Sequence, residues 1–186
     1  MLNNVIGLFG TGGGAANSYE SIQTVTVGGG GAASASFTSI PATYKHLQIR
    51  FIARDDKAGQ DNNFFKIAFN SDSGSNYVRH NLLGNGSTAS ADVGTSTSAM
   101  VGYSITSATA AASMFGAGIV DILDYANTSK YKTVRSLAGF DLNGSGKVAL
   151  NSGLWMNTAA ITQIDFTGYT ANLAQYSHIA LYGIEG

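Results

Sequence analysis

The sequence is short of cysteine, charge and proline, and these shortages exclude several kinds of protein. With no cysteine, the chain has neither a disulfide framework nor a cysteine-based zinc site. Charged residues are 11% of the total and the net charge is −1, about half the charge content of an average domain. The lysines and arginines are scattered, whereas nucleic-acid binding needs a basic stripe. We therefore expect nucleic acid not to be the main partner.

Long apolar runs are also missing. None approaches the roughly 20 residues that a membrane-spanning helix needs. The short apolar stretch near the N-terminus has no positive charge before it, which is not the pattern of a secretory signal. We therefore expect no membrane partner.

Small and uncharged polar residues are plentiful instead, with 24 glycines among the 186 residues and a single proline, Pro41. The length suits one domain. A surface of Gly, Ser, Thr, Asn and Ala is polar without being charged, which favours close neutral contacts, as in an assembly. A soluble domain with long polar loops explains the same composition.

The first 18 residues differ from the rest and predict an N-terminal arm, followed by one domain over residues 19–186. A glycine-rich stretch at residues 12–16 is costly to order, so the apolar patch before it needs a surface on which to lie. That surface is either another subunit or the arm's own domain. The residues that we expect to mediate attachment are Leu2, Val5, Ile6, Leu8 and Phe9.

Beyond the arm, the pattern predicts ten or eleven strands. Residues 46–54 show it best, because Leu47, Ile49 and Phe51 alternate with polar side chains, the period of a half-buried strand. Turn residues recur every 8–12 positions and no segment of ordinary length has helical periodicity, which favours a sandwich or barrel. Residues 84–98, mostly Gly, Ser, Thr and Ala, predict a long loop. Residues 55–63 predict a solvated acidic loop. We predict an antiparallel β-sandwich of jelly-roll type with an extended N-terminal arm.

Two motifs resemble ligand sites but lack the context that those sites need. The sequence from Gly10 to Ala15 fits G-x-G-x-x-A, yet a strand rather than a helix follows, so no dinucleotide site is predicted. Residues 141–146 resemble half of a calcium loop, but Ser152 stands where a bidentate Glu is expected. A β-turn with glycine at left-handed positions explains the same residues and is favoured. We predict neither a cofactor nor a metal.

No catalytic constellation stands out either. His46, His80 and His178 lie on separate predicted strands without metal-ligand spacing. Asp121 and Asp124 are three residues apart on one predicted strand, so their side chains point to opposite faces and do not form a catalytic pair. Nine tyrosines and Trp155 could stack on sugars, but Trp155, beside Leu154 and Met156, is typical of a core position. We predict a protein that is not an enzyme.

Four segments carry a family resemblance: residues 39–50 (SIPATYKHLQIR), 121–132 (DILDYANTSKYK), 153–161 (GLWMNTAAI) and 179–184 (IALYGI). Together they resemble a group of structural proteins of tailed-phage virions, common in phages of aquatic bacteria, and the resemblance covers residues 19–186. It implies a location on the surface of the phage particle and brings no catalytic motif.

Within that group, the arm favours a capsid decoration or cement protein. Its partners would be the major capsid protein or other virion proteins, and further copies of itself in an oligomer, for which a trimer is one form. The main alternative is a tail-associated adaptor or a receptor-binding module that recognises glycans. A glycan-active enzyme is the third. A fibre tip usually follows a long trimeric shaft, and the sequence has neither heptads nor a repeat that would build one.

Overall fold

The chain folds as two antiparallel sheets in the computed structural model, which describes residues 18–186. No helix occurs in that range. The twelve strands are β1 (Tyr19–Thr26), β2 (Ala35–Phe37), β3 (His46–Ala53), β4 (Asn62–Phe69), β5 (Tyr77–Gly84), β6 (Ala89–Thr97), β7 (Met100–Thr106), β8 (Gly116–Ile122), β9 (Lys132–Asp141), β10 (Gly146–Trp155), β11 (Ile164–Gly168) and β12 (His178–Ile184).

A broad sheet and a narrow sheet make the two layers. The broad sheet has eight strands in the order β1-β12-β3-β8-β9-β10-β5-β6, and the narrow one has four in the order β2-β11-β4-β7. Every ladder between these strands is antiparallel. We call the side of the broad sheet that meets the narrow sheet its inner face, and the opposite side its outer face.

Period-two alternation builds the core between the layers. In β3, Leu47, Ile49 and Phe51 are buried, as their spacing predicts. Phe51 packs against Phe65 of the narrow sheet, with ring centroids 5.0 Å apart, and against Phe166, also at 5.0 Å. Aromatic side chains from both layers therefore join the two sheets.

Trp155 lies in a second aromatic cluster at the other end of the core. It is fully buried and packs against Phe69 at 5.5 Å and Tyr77 at 6.3 Å between ring centroids. Its indole Nε1 donates a hydrogen bond of 2.7 Å to Asp72 Oδ2, and hydrogen bonds from Asn76 and from Trp155 hold the pKa of Asp72 below its usual value. The prediction that Trp155 is a core residue is confirmed.

Two buried cations tie loops to the sheets. Arg54, which follows β3, donates to the backbone oxygens of Ala108, Ala110, Ala111 and Met114 at 2.7–3.2 Å. Lys132 is fully buried, and its Nζ donates to the backbone oxygens of Asn127, Lys130 and Thr158 at 2.6, 3.0 and 3.0 Å. Because buried carbonyls need donors, each cation replaces the regular ladder where the chain leaves a strand.

The all-β antiparallel sandwich is confirmed, whereas two local predictions are wrong. Residues 84–98 are not a long loop, because Ala89–Thr97 forms β6, which pairs with β5 along the edge of the broad sheet. The loop at residues 55–63 is not wholly solvated, because Asp55 is fully buried. Its carboxylate accepts hydrogen bonds from Ser107 Oγ and Asn63 Nδ2, both at 2.6 Å. The jelly-roll assignment stays a prediction, and the arm lies outside the described residues.

The suspected calcium loop is a tight hairpin between β9 and β10. Leu142 N donates to Ser145 O at 2.7 Å, and Asn143 and Gly144 between them have φ values of 59° and 122°. Asn-Gly is the preferred pair at positions that require positive φ in a two-residue hairpin turn. The β-turn interpretation of this segment is confirmed.

Candidate functional site

The outer face of the broad sheet carries a wide apolar surface. Seven aliphatic side chains on it are between 37% and 60% exposed. They come from six neighbouring strands, from β3 at one side to β6 at the other. They are Ile52, Leu82, Val93, Ile119, Leu137, Val148 and Leu150. We call this set the apolar face.

The register of the ladders makes the apolar face continuous. Leu137 of β9 lies opposite Ile119 of β8 on one side and opposite Leu150 of β10 on the other. Leu150 in turn lies opposite Leu82 of β5. Directly opposed residues in antiparallel strands have Cβ atoms about 4.5–5.5 Å apart, so these four side chains form one unbroken row across the sheet.

Midway along β9 and β10, the larger apolar side chains are on the solvent side. On β9 and β10, Leu137 and Leu150 point outward, while Ser136 and Asn151 are buried on the inner face. Asn151 Nδ2 donates to Ser136 Oγ at 2.7 Å. The usual half-buried strand is apolar inside and polar outside. This inversion is expected for a sheet whose outer face is also covered.

Close packing by β7 explains the small inner residues. β7 lies over the inner face of β9 and β10. A Cβ atom placed on Gly153 of β10 would lie 2.2 Å from Met100 Sδ of β7. The two layers approach closely at this level of β10, where Asn151 and Gly153 face inward and Leu150 faces outward.

A shallow groove of about 560 Å³ runs through the middle of the apolar face. Ala117 and Gly139 lie opposite each other in the ladder between β8 and β9 and leave little side-chain bulk at that level. Ile119, Leu137 and Val148 rise around them. The surface is therefore ridged rather than flat, and apart from Arg50 the residues that line the groove are apolar.

A polar network borders the apolar face at β3, β8 and β9. Gln48 Nε2 donates to Asp121 Oδ1 at 2.8 Å, and Arg135 Nη2 lies 3.4 Å from Asp121 Oδ2. Arg50 Nε donates to Gln48 Oε1 at 3.1 Å, and its guanidinium lies 5.3 Å from the centroid of the Tyr19 ring. An apolar centre with a polar rim is the usual anatomy of a protein interface.

The apolar face offers substantial binding energy. Fully burying one such side chain is worth about 1.5–3 kcal/mol. Since the seven are on average about half exposed, covering them all is worth on the order of 5–10 kcal/mol before the costs of association. Large contiguous apolar patches on soluble proteins mark interaction sites. Of the surfaces that the structure describes, this one has the strongest character of a binding site.

Asp124 forms a separate charged cluster in the turn after β8. Lys45 Nζ lies 3.1 Å from its Oδ1, and Lys130 Nζ pairs with its Oδ2. The hydrogen bonds from Lys130 and Lys45 lower its pKa from 3.8 to about 2. Asp121 and Asp124 thus have different partners, one on the sheet and one in the turn, and the structure does not bring them together.

The histidines are also separate. His46 Nδ1 accepts a hydrogen bond of 3.0 Å from the backbone nitrogen of Asp124, and His178 Nδ1 lies 2.9 Å from Thr26 Oγ1. His80 is exposed on β5. Within residues 18–186, no three His, Asp or Glu side chains are grouped so as to hold a metal ion. In the same range no helix is long and apolar enough to cross a membrane.

The predicted attachment residues Leu2, Val5, Ile6, Leu8 and Phe9 lie outside the described residues, as does the Gly10–Ala15 motif. The apolar face was not predicted from the sequence. The sequence held one signal for it. Leu137 and Leu150 lie on the same faces of their strands as the polar residues Arg135 and Ser152, and therefore on the side of the sheet that faces solvent. Comparison with known proteins found no matching family model, no matching curated protein and no matching solved structure.

Proposed function

We propose that this chain is a non-enzymatic structural protein of a phage particle, and specifically a capsid decoration or cement protein on the virion surface. The observation that carries the proposal is the apolar face. Seven half-exposed aliphatic side chains in one surface suit a subunit that works by packing against other proteins. The resemblance of residues 19–186 to tailed-phage virion proteins supports the same role.

The proposed mechanism is non-covalent attachment in two parts. The apolar residues of the arm, Leu2, Val5, Ile6, Leu8 and Phe9, bind the major capsid protein or a neighbouring virion protein. The sandwich then covers the junctions between capsomers. Each arm needs only modest affinity, because many copies on one lattice, linked to each other, add their binding.

Immunogold labelling of purified virions tests the location. With an antibody against residues 19–186, gold distributed over the head supports decoration. Gold confined to the tail overturns the cement role. Absence of label, together with absence of the protein from virion mass spectrometry, overturns the virion role altogether.

Deleting residues 1–14 tests the attachment mechanism. The truncated protein should keep the thermal melting curve of the full chain and lose binding to particles that lack the native protein. A matched control replaces Asn3 and Asn4 by Ser, which leaves the apolar residues in place and should preserve binding. A truncated protein that binds particles as well as the full chain refutes the role of the arm.

One observation favours the alternative role of a tail-associated adaptor or receptor-binding module. Tyr176 is 69% exposed and has a φ of 71°, a costly backbone conformation for a bulky residue that recurs at functional positions. An exposed tyrosine ring can stack on a sugar. Binding of host-envelope glycan by the native chain, lost in Tyr176→Ala and kept in Tyr131→Ala, would support this alternative over decoration.

A further inference from the structure

On the apolar face, a row of large side chains lies beside a row of mostly small ones, and this surface is complementary to a second copy of itself. We infer that this face binds the same face of another copy of the chain, around a twofold axis that lies between two neighbouring rows of side chains. The contact uses the broad sheet alone and does not depend on what the arm binds elsewhere.

The two rows differ in the size of their side chains. The ladders align one row of large residues, which we call the ridge row, consisting of Leu82, Ile119, Leu137 and Leu150. Two positions away on the same strands, the ladders align the trough row, consisting of Gly84, Ala117, Gly139 and Val148. On three of the four strands, the large aliphatic residue of the ridge row thus has a glycine or alanine two positions away on the same face.

This arrangement is self-complementary under a twofold rotation. An axis that lies in the plane of the face, across the strands and between the two rows, turns the second copy over. The ridge row of one copy then faces the trough row of the other. On each strand the match is local: Leu137 of one copy meets Gly139 of the other, and Ile119 meets Ala117. In such an isologous contact, every pairing occurs twice.

The same axis gives an ordinary packing of sheets. Because it runs across the strands, the strands of the two copies stay nearly parallel or antiparallel to one another. Aligned sheets in sandwiches pack with their strands within about 30° of each other and about 10 Å apart. The two copies would therefore form a further layer of the kind that already joins the broad and narrow sheets.

The area of the face favours a second copy over the arm as its occupant. The six strands of the apolar face, at about 4.8 Å spacing and with seven residues of about 3.4 Å, give a face of roughly 700 Å². A standard interface buries about 800 Å² on each partner. One extended arm segment covers a strip only about 5 Å wide, which leaves most of the seven exposed side chains in water.

The sequence also keeps charge out of the central part of the contact. On the strands from β8 to β6, none of the ridge-row and trough-row residues is charged. Arg135 and Asp121 lie one row beyond the ridge row and pair with each other, so they keep a partner at the rim. On β3 the ladder continues the ridge row with Arg50, opposite Ile119, and this guanidinium keeps Gln48 and the Tyr19 ring as partners. From β8 to β6, the two rows therefore bury no unpaired charge.

Sedimentation velocity of the full chain over a range of concentrations tests the inference. We expect a dimer that dissociates on dilution. Leu137→Lys places a charge in the ridge row and should weaken association by at least about tenfold. Tyr169→Lys, which also places a lysine at an exposed position but just after β11 of the narrow sheet, should leave association unchanged. Melting curves establish that each variant is folded.

Ala117→Leu separates a shaped contact from general stickiness. It adds apolar surface but fills the trough row, so it should weaken the dimer. It also keeps the test decisive if Leu137→Lys fails to fold. Gly139 is unsuitable for this purpose, because a Cβ atom there would lie 2.7 Å from the backbone oxygen of Lys147.

Four results would overturn the inference. They are a full chain that stays monomeric at the highest concentration, a trimer, an Ala117→Leu variant that associates as tightly as the native chain, and loss of association on deleting residues 1–17. The last result would make the arm the occupant. None of these experiments uses virions, so a failed inference is distinguishable from a failed virion role.

Discussion

Replacing Lys132 by methionine should destabilise the protein strongly, although the side chain keeps its apolar length. The Lys132 ammonium donates to three backbone oxygens from two separate loops. Methionine retains the buried stem and removes all three donors. The backbone oxygens of Asn127, Lys130 and Thr158 are then left to find water at the surface or remain unpaired.

The magnitude follows from two opposing effects. Leaving one buried polar group without a partner costs about 1–3 kcal/mol, so three such groups set a loss of about 3–9 kcal/mol. The variant no longer buries an ammonium, a group whose pKa is lowered here by desolvation and then by the charge of Lys130. That relief offsets part of the loss, and we expect about 3–5 kcal/mol less free energy of unfolding.

Urea unfolding measures this change directly. Trp155 is the only tryptophan and is fully buried, so its fluorescence reports loss of the core. Because Trp155 lies directly opposite Lys132 in the β9–β10 ladder, circular dichroism should be recorded as a second, global probe. Lys57→Met is the matched control, since the Lys57 ammonium donates to a single hydroxyl, Thr170 Oγ1, and should change stability by less than about 0.5 kcal/mol. A loss below about 1 kcal/mol for Lys132→Met would refute the reasoning.

Three further changes have expected outcomes. The stability contributed by the Asp124 charge is complete above the ordinary pKa of 3.8 and is lost as pH falls toward the folded pKa of about 2. Asp124→Asn should therefore have a lower melting temperature than the native chain at about pH 6 and the same melting temperature near pH 2. Equal melting temperatures at both pH values would contradict this. Gly118→Ala places a Cβ atom 2.5 Å from the Phe51 ring and should cost about 1–3 kcal/mol in urea unfolding, unlike Gly28→Ala, where space is open. Arg54→Met should make the 107–114 loop the first site of proteolytic cleavage, and a cleavage pattern like that of the native chain would contradict the anchoring role.

Alternation along the sequence was enough to predict the sandwich. Residues 46–54 predicted β3 because large apolar residues alternate with polar ones, and residues 141–146 favoured a β-turn because glycine tolerates positive φ. Trp155 was placed in the core from its size and neighbours. All of these signals are local, and the structure agrees with them.

β6 and the buried Asp55 could not be predicted from local signals. The residues of β6 are mostly small and exposed, so burial gives no pattern, and the strand exists because β5 supplies its backbone partners. Asp55 is buried because Asn63 and Ser107 bring it donors. Ser107 is distant in sequence, and its contribution depends on the fold.

The apolar face was missed for a different reason. Period two says which residues share a face but not which face is inside. Midway along β10, Val148 and Leu150 share one face while Asn151 and Gly153 share the other, and size alone would have placed Leu150 in the core. The close approach of β7, marked by the contact of Met100 with Gly153, reverses that choice. Only the packing of the second layer decides it.

The position of β12 has a consequence for how the chain reaches this fold. β12 is the last strand in sequence, yet it lies between β1 and β3, with Tyr19 opposite Ile184. During synthesis, β1 therefore has no strand to pair with until the last residues of β12 leave the ribosome, and one edge of β3 stays open for the same time. Pairings so distant in sequence are slow to form. An open edge next to an apolar face is also a route to aggregation. The joining of β1, β12 and β3 should thus be a late step of folding.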